Sequence, residues 1–325
     1  MKATTYTKYG SPDVLHFTEV AKPTPRDDEV LIEIRAASVN PLDWRLMRGK
    51  PLFTRIMIGG MRKPKVTRPG VDVAGRVESV GRNVTRFKPG DEVFGSCRGA
   101  FAEYACTSES ALVMKPANVT FEQAASVPVA AITALQGLRD KGRIRSGQKV
   151  LVDGASGGVG TFAVQIAKSF GAEVTAVCST GNADTARSIG ADRVIDYTRE
   201  DFTRNGQRYD LIIAANAYHS IFDYRRALNH DGIYVLAGGG WTQISQAMLL
   251  GPFLSLIGNK KMCFFVAKLN KTDLILLKDL LEAGKIVPVI DRRYPLSDVA
   301  EALRYLEEGH AKGKVVITME PRSAT

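Results

Sequence analysis

Val150-Leu151-Val152-Asp153-Gly154-Ala155-Ser156-Gly157-Gly158-Val159-Gly160 runs on into Thr161-Phe162-Ala163-Val164-Gln165-Ile166-Ala167-Lys168. The first residues read as an apolar strand, the glycines as a tight turn, and the rest as an amphipathic helix. A strand, a glycine turn and a helix in that order make the arrangement that a dinucleotide pyrophosphate needs. Gly154, Gly157 and Gly160 let the turn close and let backbone N–H groups approach phosphate oxygens. Ser156, Gly157, Gly158 and Val159 are therefore the expected pyrophosphate contacts. Gly160 allows the helix to pack closely on the strand, and the helix N-terminus adds its partial positive charge. A glycine pattern alone is weak evidence; its place between a strand and a helix gives it weight.

The next apolar strand, 173–178, is expected to end where the adenosine ribose lies. A site for NAD usually carries Asp or Glu there. This chain reads Cys178-Ser179-Thr180-Gly181-Asn182, with no carboxylate at that tip. Two hydroxyls among small residues suit a 2′-phosphate, so the expected cofactor is NADPH, held by Ser179 and Thr180. The alternative is that both merely cap the following helix. No Arg or Lys occupies the turn, and Arg187 lies farther along that helix.

The chain has 325 residues, enough for a large core and two domains. Its net charge of +10 admits nucleic acid, membrane surfaces or anionic small molecules as partners. No nucleic-acid motif is present, and the basic residues mostly lack interleaved aromatics. Cys97, Cys106, Cys178 and Cys263 are scattered, without metal spacing or a disulfide framework. They read as free thiols in a reducing compartment. The apolar run over about 247–258 contains Gly and Pro and is too short to span a bilayer. The start, Met1-Lys2-Ala3-Thr4-Thr5-Tyr6, does not read as a signal peptide, so the expected location is cytoplasmic.

Short strands between Pro and Gly turns fill the first third, as at 30–36, 71–80 and 92–94. From about residue 121 the rhythm changes. Helices at 121–127 and 132–141 precede the strand at 150, and further strands at 174–178, 194–196, 211–214 and 233–237 alternate with helices. That is the pattern of a doubly wound parallel sheet. The tail returns to mixed structure, with helices at 273–283 and 296–308 and a closing strand at 314–318. The expected fold is α/β, a β-rich catalytic domain plus a Rossmann cofactor domain. The expected boundaries are 1–124, 125–262 and 263–325, the last returning to the catalytic domain.

In this order the motifs resemble the medium-chain dehydrogenase/reductase superfamily, specifically its zinc-free quinone oxidoreductase and enone reductase branch. The resemblance spans Gly10 to Thr318. It rests on Asn40-Pro41-Leu42-Asp43, Gly70-Val71-Asp72-Val73-Ala74-Gly75, Pro89-Gly90-Asp91-Glu92-Val93, Phe101-Ala102-Glu103-Tyr104, the glycine turn, Gly190-Ala191-Asp192 and Gly313-Lys314-Val315-Val316. It implies a GroES-like first domain and a homodimer or homotetramer. Departures from the zinc alcohol dehydrogenases are informative. Asn40 stands where their catalytic zinc takes a Cys, and Val71-Asp72 stands where they have His-Glu. Zinc needs three or four N, S or O ligands. No metal is expected.

Without a Lewis acid, reduction of a simple ketone leaves charge on one oxygen with nothing strong to hold it. An α,β-unsaturated carbonyl or a quinone spreads that charge, and hydrogen-bond donors can stabilise the resulting enolate or hydroquinone anion. The expected reaction is hydride transfer from NADPH to a small-molecule quinone or enone. By resemblance, Asn40 lies near the nicotinamide and orients substrate or water; alternatively it only starts the Asn-Pro turn. Asp43 either braces that loop or transfers protons. Thr133 contacts the cofactor by resemblance, or caps within the core. Tyr197 packs near the adenosine phosphate by resemblance, or is an exposed strand-end residue. Gly238 and Gly239 follow a parallel strand, where backbone can approach nicotinamide.

Two rival readings share the fold: an enoyl-thioester reductase, and a low-turnover cofactor-binding regulatory or structural protein. Thioester reductases generally place a tyrosine after the Asn-Pro motif, and residues 40–60 contain none. From Trp44 to Val71 there is no Asp or Glu, while Arg45, Arg48, Lys50, Arg55, Arg62, Lys63, Lys65 and Arg68 alternate with apolar residues. This segment is a solvated loop, an entrance for anionic substrates, or a peripheral membrane patch. Oligomer contacts are expected at an edge strand near 233–237 and at the apolar run after Ser245.

Overall fold

The computed structural model describes residues 1–50, 55 and 60–319. They form two compact units. The first comprises Met1–Val129, Leu269–Glu282 and the chain from Ile290; the second comprises Ala130–Lys268 and Ala283–Val289. In chain order the strands are β1 (Lys2–Thr5), β2 (His16–Glu19), β3 (Glu29–Val39), β4 (Asp72–Val80), β5 (Glu92–Ser96), β6 (Tyr104–Ser108) and β7 (Leu112–Met114). The second unit holds β8 (Lys149–Asp153), β9 (Glu173–Cys178), β10 (Arg193–Asp196), β11 (Tyr209–Ala214), β12 (Leu228–Leu236) and β13 (Lys261–Phe264). Strands β14 (Ile290–Pro295) and β15 (Lys314–Thr318) belong to the first unit.

The first unit is a mostly antiparallel sheet in the order β14-β15-β3-β4-β5-β7, with β6 also paired to β3. Its long strand β3 slips register against β4 between Leu31 and Ile32 and between Ile34 and Ala36. Such irregularities bend a sheet so that its inner face closes on itself. Val30, Ile32, Ile34, Val73, Val93, Phe101, Leu112, Val315 and Ile317 fill the interior. Strand β15 pairs antiparallel with β3, bringing Val316 opposite Ser38 and Val315 opposite Val39. That register joins residues more than 270 positions apart and places Lys314 beside the end of β3. The helix Pro41–Arg48 leaves β3 directly, with Pro at its first position, where the missing N–H costs nothing.

The second unit is a wholly parallel sheet in the order β10-β9-β8-β11-β12-β13. Strands buried on both faces read as unbroken apolar runs, and Val150, Leu151 and Val152 are fully buried. Chain order reverses between β8 and β11, the switch point at whose carboxyl ends doubly wound sheets bind their ligands. The GroES-like and Rossmann-like halves expected from the sequence are both present. One expectation is corrected: residues 233–237 do not form a sheet edge, because β12 lies between β11 and β13. The edge is β13, a four-residue strand whose lone apolar segment carries no β-period signal strong enough to separate it from a loop.

Candidate functional site

In the second unit the expected residues converge at the carboxyl ends of the strands. After Asp153 the backbone turns at Gly154, whose φ of +76° is open to glycine and strained for other residues. Gly157 caps the helix Gly158–Ser169, and the first turn closes with Thr161 N–H donating to the Gly157 carbonyl at 2.9 Å. The amides of Gly158, Val159 and Gly160 precede that bond and have no helical turn beneath them. A Cβ on Gly157 would meet only the Gly154 oxygen, at 3.5 Å, so the face of the turn is open there. A Cβ on Gly160 would lie 2.0 Å from the same oxygen. One glycine therefore leaves room for a ligand and the other lets the helix seat. The residues fit a pyrophosphate.

At the end of β9, Ser179 accepts from Asn182 Nδ2 at 3.0 Å. The Thr180 hydroxyl donates to Asp196 Oδ2 in a short bond. Asp196 closes β10 and pairs in register with Cys178, the last residue of β9. Thr198 gives the same carboxylate its hydroxyl at 2.7 Å and its N–H at 3.0 Å. These bonds, Thr180's first, hold the Asp196 carboxyl below the usual range. Arg199 Nε stands 3.7 Å from Asp196 Oδ2. Arg187 pairs with Asp184 at 2.8 Å, and its charge still acts on the Cys178 thiol at the end of β9. Sequence reasoning looked for a carboxylate at the tip of β9 and missed the one delivered by β10. The β10 register, invisible in a linear reading, was the missing signal.

Tyr197 is half-exposed, with its ring centroid 5.7 Å from that of Tyr218. Gly238 follows β12 and packs so close to Ala215 that a Cβ would lie 2.3 Å from its carbonyl oxygen. Gly239 has a φ of +152° and bridges Ala217. Thr133 sits partly buried in the helix Pro128–Gln136. Beneath the glycine turn lies a group the sequence did not single out. Asp153 is buried, accepts the Tyr224 hydroxyl in a short bond, and has its carboxyl pushed up to about 7 by burial, against the Tyr224 and Gly154 hydrogen bonds. Tyr224 also stacks on Tyr234, centroids 4.5 Å apart.

In the first unit, Asn40 and Asp43 belong to a buried polar cluster. Asn40 N–H donates to Asp43 Oδ2 at 2.8 Å, which caps the helix that begins at Pro41. Asn40 Nδ2 donates to Asp72 Oδ2 at 2.8 Å, and its Oδ1 accepts from Lys314 Nζ at 2.8 Å. Lys314 also reaches Asp72 Oδ2 at 3.4 Å. Ser38 Oγ at 2.8 Å and Val129 N–H at 3.0 Å complete the donors to Asp72. An ammonium on one side and a carboxylate on the other fix which way the Asn40 amide faces. Burial pushes the Asp43 carboxyl up to about 7; Asp72 adds to this, while the Asn40 and Gly70 backbone and Lys314 oppose it. Burial lowers the Lys314 ammonium, and Asp72 and Asp43 oppose that.

A zinc ion does not fit this cluster. Val71 offers no donor atom, and the Lys314 ammonium lies against the Asn40 and Asp72 oxygens. Among the described residues no group of three or more His, Cys, Asp or Glu side chains could hold a metal. In the basic segment, residues 51–54 and 56–59 lie outside the described residues, Leu52, Phe53, Ile56, Met57 and Ile58 with them. Arg48 pairs with Glu307, and Arg55 donates to the Gly49 carbonyl at 2.9 Å and covers the Tyr9 ring. Those two charges serve the unit itself. No described helix is long and apolar enough to cross a membrane.

Comparison with known proteins bears out the two-part architecture. A family model described as alcohol dehydrogenase GroES-like domain matches residues 26–117, and one described as zinc-binding dehydrogenase matches 189–317. A 2-methylene-furan-3-one reductase of Solanum lycopersicum is 39% identical over 332 residues, covering 98% of this chain and 79% of the relative. A chloroplastic NADPH-dependent alkenal/one oxidoreductase of Arabidopsis thaliana is 35% identical, with the same coverage. The solved quinone oxidoreductase of Coxiella burnetii superposes with a TM-score of 0.84 at 28% identity, covering 98% of this chain and 99% of that one. The cytoplasmic expectation is corrected here. Several relatives are named as chloroplastic or mitochondrial proteins. Free thiols argue for a reducing environment and do not choose among such compartments.

Proposed function

This chain belongs to the medium-chain dehydrogenase/reductase superfamily, in the branch of quinone oxidoreductase homologues and enone reductases, and from that membership we propose that it reduces quinones or α,β-unsaturated carbonyls with NADPH and without a metal. It is an oxidoreductase on small molecules; acceptor, cofactor preference and zinc independence are the proposal. The observation that carries it is the Lys314 ammonium seated against Asn40 and Asp72, in a cluster that lacks a metal's donor set. Relatives named for alkenal, furanone and quinone reduction support the acceptor class.

On this reading the first-turn amides of Gly158 and Val159, with Ser156 and Gly157, hold the pyrophosphate. Ser179, Thr180 and Tyr197 take the adenosine end, and Thr133, Gly238 and Gly239 the nicotinamide end. NADPH supplies the hydride. The chain's own part is to orient and desolvate the acceptor and to offer donors to the charge that develops on its oxygen. Asn40 is buried, gives its amide hydrogens to Asp72 and the Ser38 carbonyl and accepts from Lys314, so its part is to hold the end of β3 and the helix that follows, and Asp43 braces the loop that carries it.

The test is NADPH and NADH oxidation by the chelator-treated protein, with an ortho-quinone and a short enone as acceptors. Turnover that survives chelation is expected. Turnover abolished by chelation and restored by zinc would reject the metal-free mechanism. Bound cofactor without turnover of either acceptor would favour a thioester reductase or a non-catalytic protein. The expected homodimer or homotetramer finds support in the exposed Leu249, Phe253 and Leu256 beside edge strand β13. Light scattering that shows only monomer would remove it.

A further inference from the structure

We propose that Asp196 and Arg199 together select which nicotinamide dinucleotide the second unit accepts, acting from the strand beside the one that ends at the ribose. The inference rests on the dinucleotide reading above and concerns only its adenosine end. Thr180 has one hydroxyl hydrogen, and it is given to Asp196. A 2′-phosphate seated on Thr180 would compete with Asp196 for that hydrogen and would place a second anion beside the first. A 2′-hydroxyl meets the reverse situation: it is itself a donor, and the Thr180 and Asp196 oxygens can accept from it. Taken alone, then, Asp196 favours the cofactor without the phosphate.

Arg199 changes the balance. Its side chain is 76% exposed and contacts the Asp196 carboxylate as an ion pair at 3.7 Å, longer than a hydrogen bond. A guanidinium so placed can turn to a phosphate, which it binds bidentately, while still screening the carboxylate. Gly181 supplies no side chain and Arg187 is paired with Asp184, so the cation that stands on the Asp196 carboxylate is the one from the turn after β10. Preference for NADPH is therefore a contest between two side chains three residues apart. Thr198, which holds Asp196 by hydroxyl and backbone, keeps the carboxylate in place during that contest.

Isothermal titration of the intact protein with NADP+ and NAD+ reads the contest directly, independently of turnover. Asp196→Asn removes the anion beside Thr180 and releases Arg199 from its ion pair, and is expected to raise the ratio of NADP+ to NAD+ affinity by about tenfold, the scale of one charge-assisted contact. Arg199→Ala is expected to lower the same ratio by about tenfold, mostly through NADP+. A ratio within about twofold of wild type in either variant, with NAD+ still bound, overturns the inference and leaves the reductase reading intact. Failure of the wild type to bind either dinucleotide would instead overturn the reductase reading.

Discussion

The glycine turn of the second unit and the Asp72 cluster of the first handle charge by opposite means. At Gly154–Gly160 the donors are backbone amides, four of the seven residues are glycines, and the face at Gly157 is open. Around Asp72 the donors are mostly side chains, from Ser38, Asn40 and Lys314, joined by the Val129 N–H; the side chains are buried, and their bonds close within the protein. A backbone site is specified by a few consecutive residues and tolerates change in its neighbours. A side-chain cluster is specified by sheet register and fails when any one member is lost. The first arrangement suits binding; the second suits holding one amide in one orientation.

The sharpest way to break that contrast is Lys314→Met. Lys314 is 3% exposed and Asp72 fully buried, so the substitution leaves a buried carboxylate without its cation. A loss of ~3–5 kcal/mol of stability is expected. Urea unfolding checks it, and Lys314→Met combined with Asp72→Asn is expected to recover part of the loss. A single variant within about 1 kcal/mol of wild type would mean that the cluster is not a charge-balanced unit.

The second prediction tests the backbone side. Gly160→Ala places a methyl 2.0 Å from the Gly154 carbonyl oxygen, where only movement of the helix or the turn can relieve it. Overpacking of this kind costs roughly 1–3 kcal/mol, and dinucleotide affinity is expected to fall by about tenfold or more. Gly157→Ala, whose methyl makes only an ordinary contact with the Gly154 oxygen at 3.5 Å, is expected to leave stability nearly unchanged while weakening binding. Equal effects of the two on thermal unfolding would blur the distinction between a packing glycine and a ligand-facing one.

What could be read from the chain follows the same division. The turn was legible because strand, glycines and helix are contiguous, and the βαβ rhythm around it is local. Asn40 and Asp43 were legible as an Asn-Pro turn with an acid three residues on. Their partners were not, since Asp72 meets Asn40 only once β4 has paired with β3, and Lys314 only once β15 has. Asp196 escaped for the same reason: β10 and β9 are adjacent in the sheet, and 18 residues separate Asp196 from Cys178. Strand β13 was missed because four residues after an apolar helix carry too little pattern. Local order was readable; lateral order was not.

Asp153 tests the comparison at its weakest point, because it is a buried side-chain acid directly under the backbone site. Its carboxyl is raised by burial from 3.8 to about 7. The sign follows from proton counting. Below the unfolded value both states are protonated, and the contribution of the neutral acid to stability is fully present. As pH rises from about 4 the unfolded chain ionises first, and the folded protein loses stability through the window up to about 7. The slope is on the order of 1 kcal/mol for each pH unit, the smallest of these effects at any one step. Asp153→Asn keeps an acceptor for the Tyr224 hydroxyl and has no such slope. The stability of the variant minus that of wild type, measured by urea unfolding, should therefore climb across the window and level off above it. A flat difference would show that Asp153 ionises at its ordinary pH. The Tyr224 and Gly154 hydrogen bonds would then outweigh burial, and the floor of the turn would be a charged side-chain cluster like the one around Asp72.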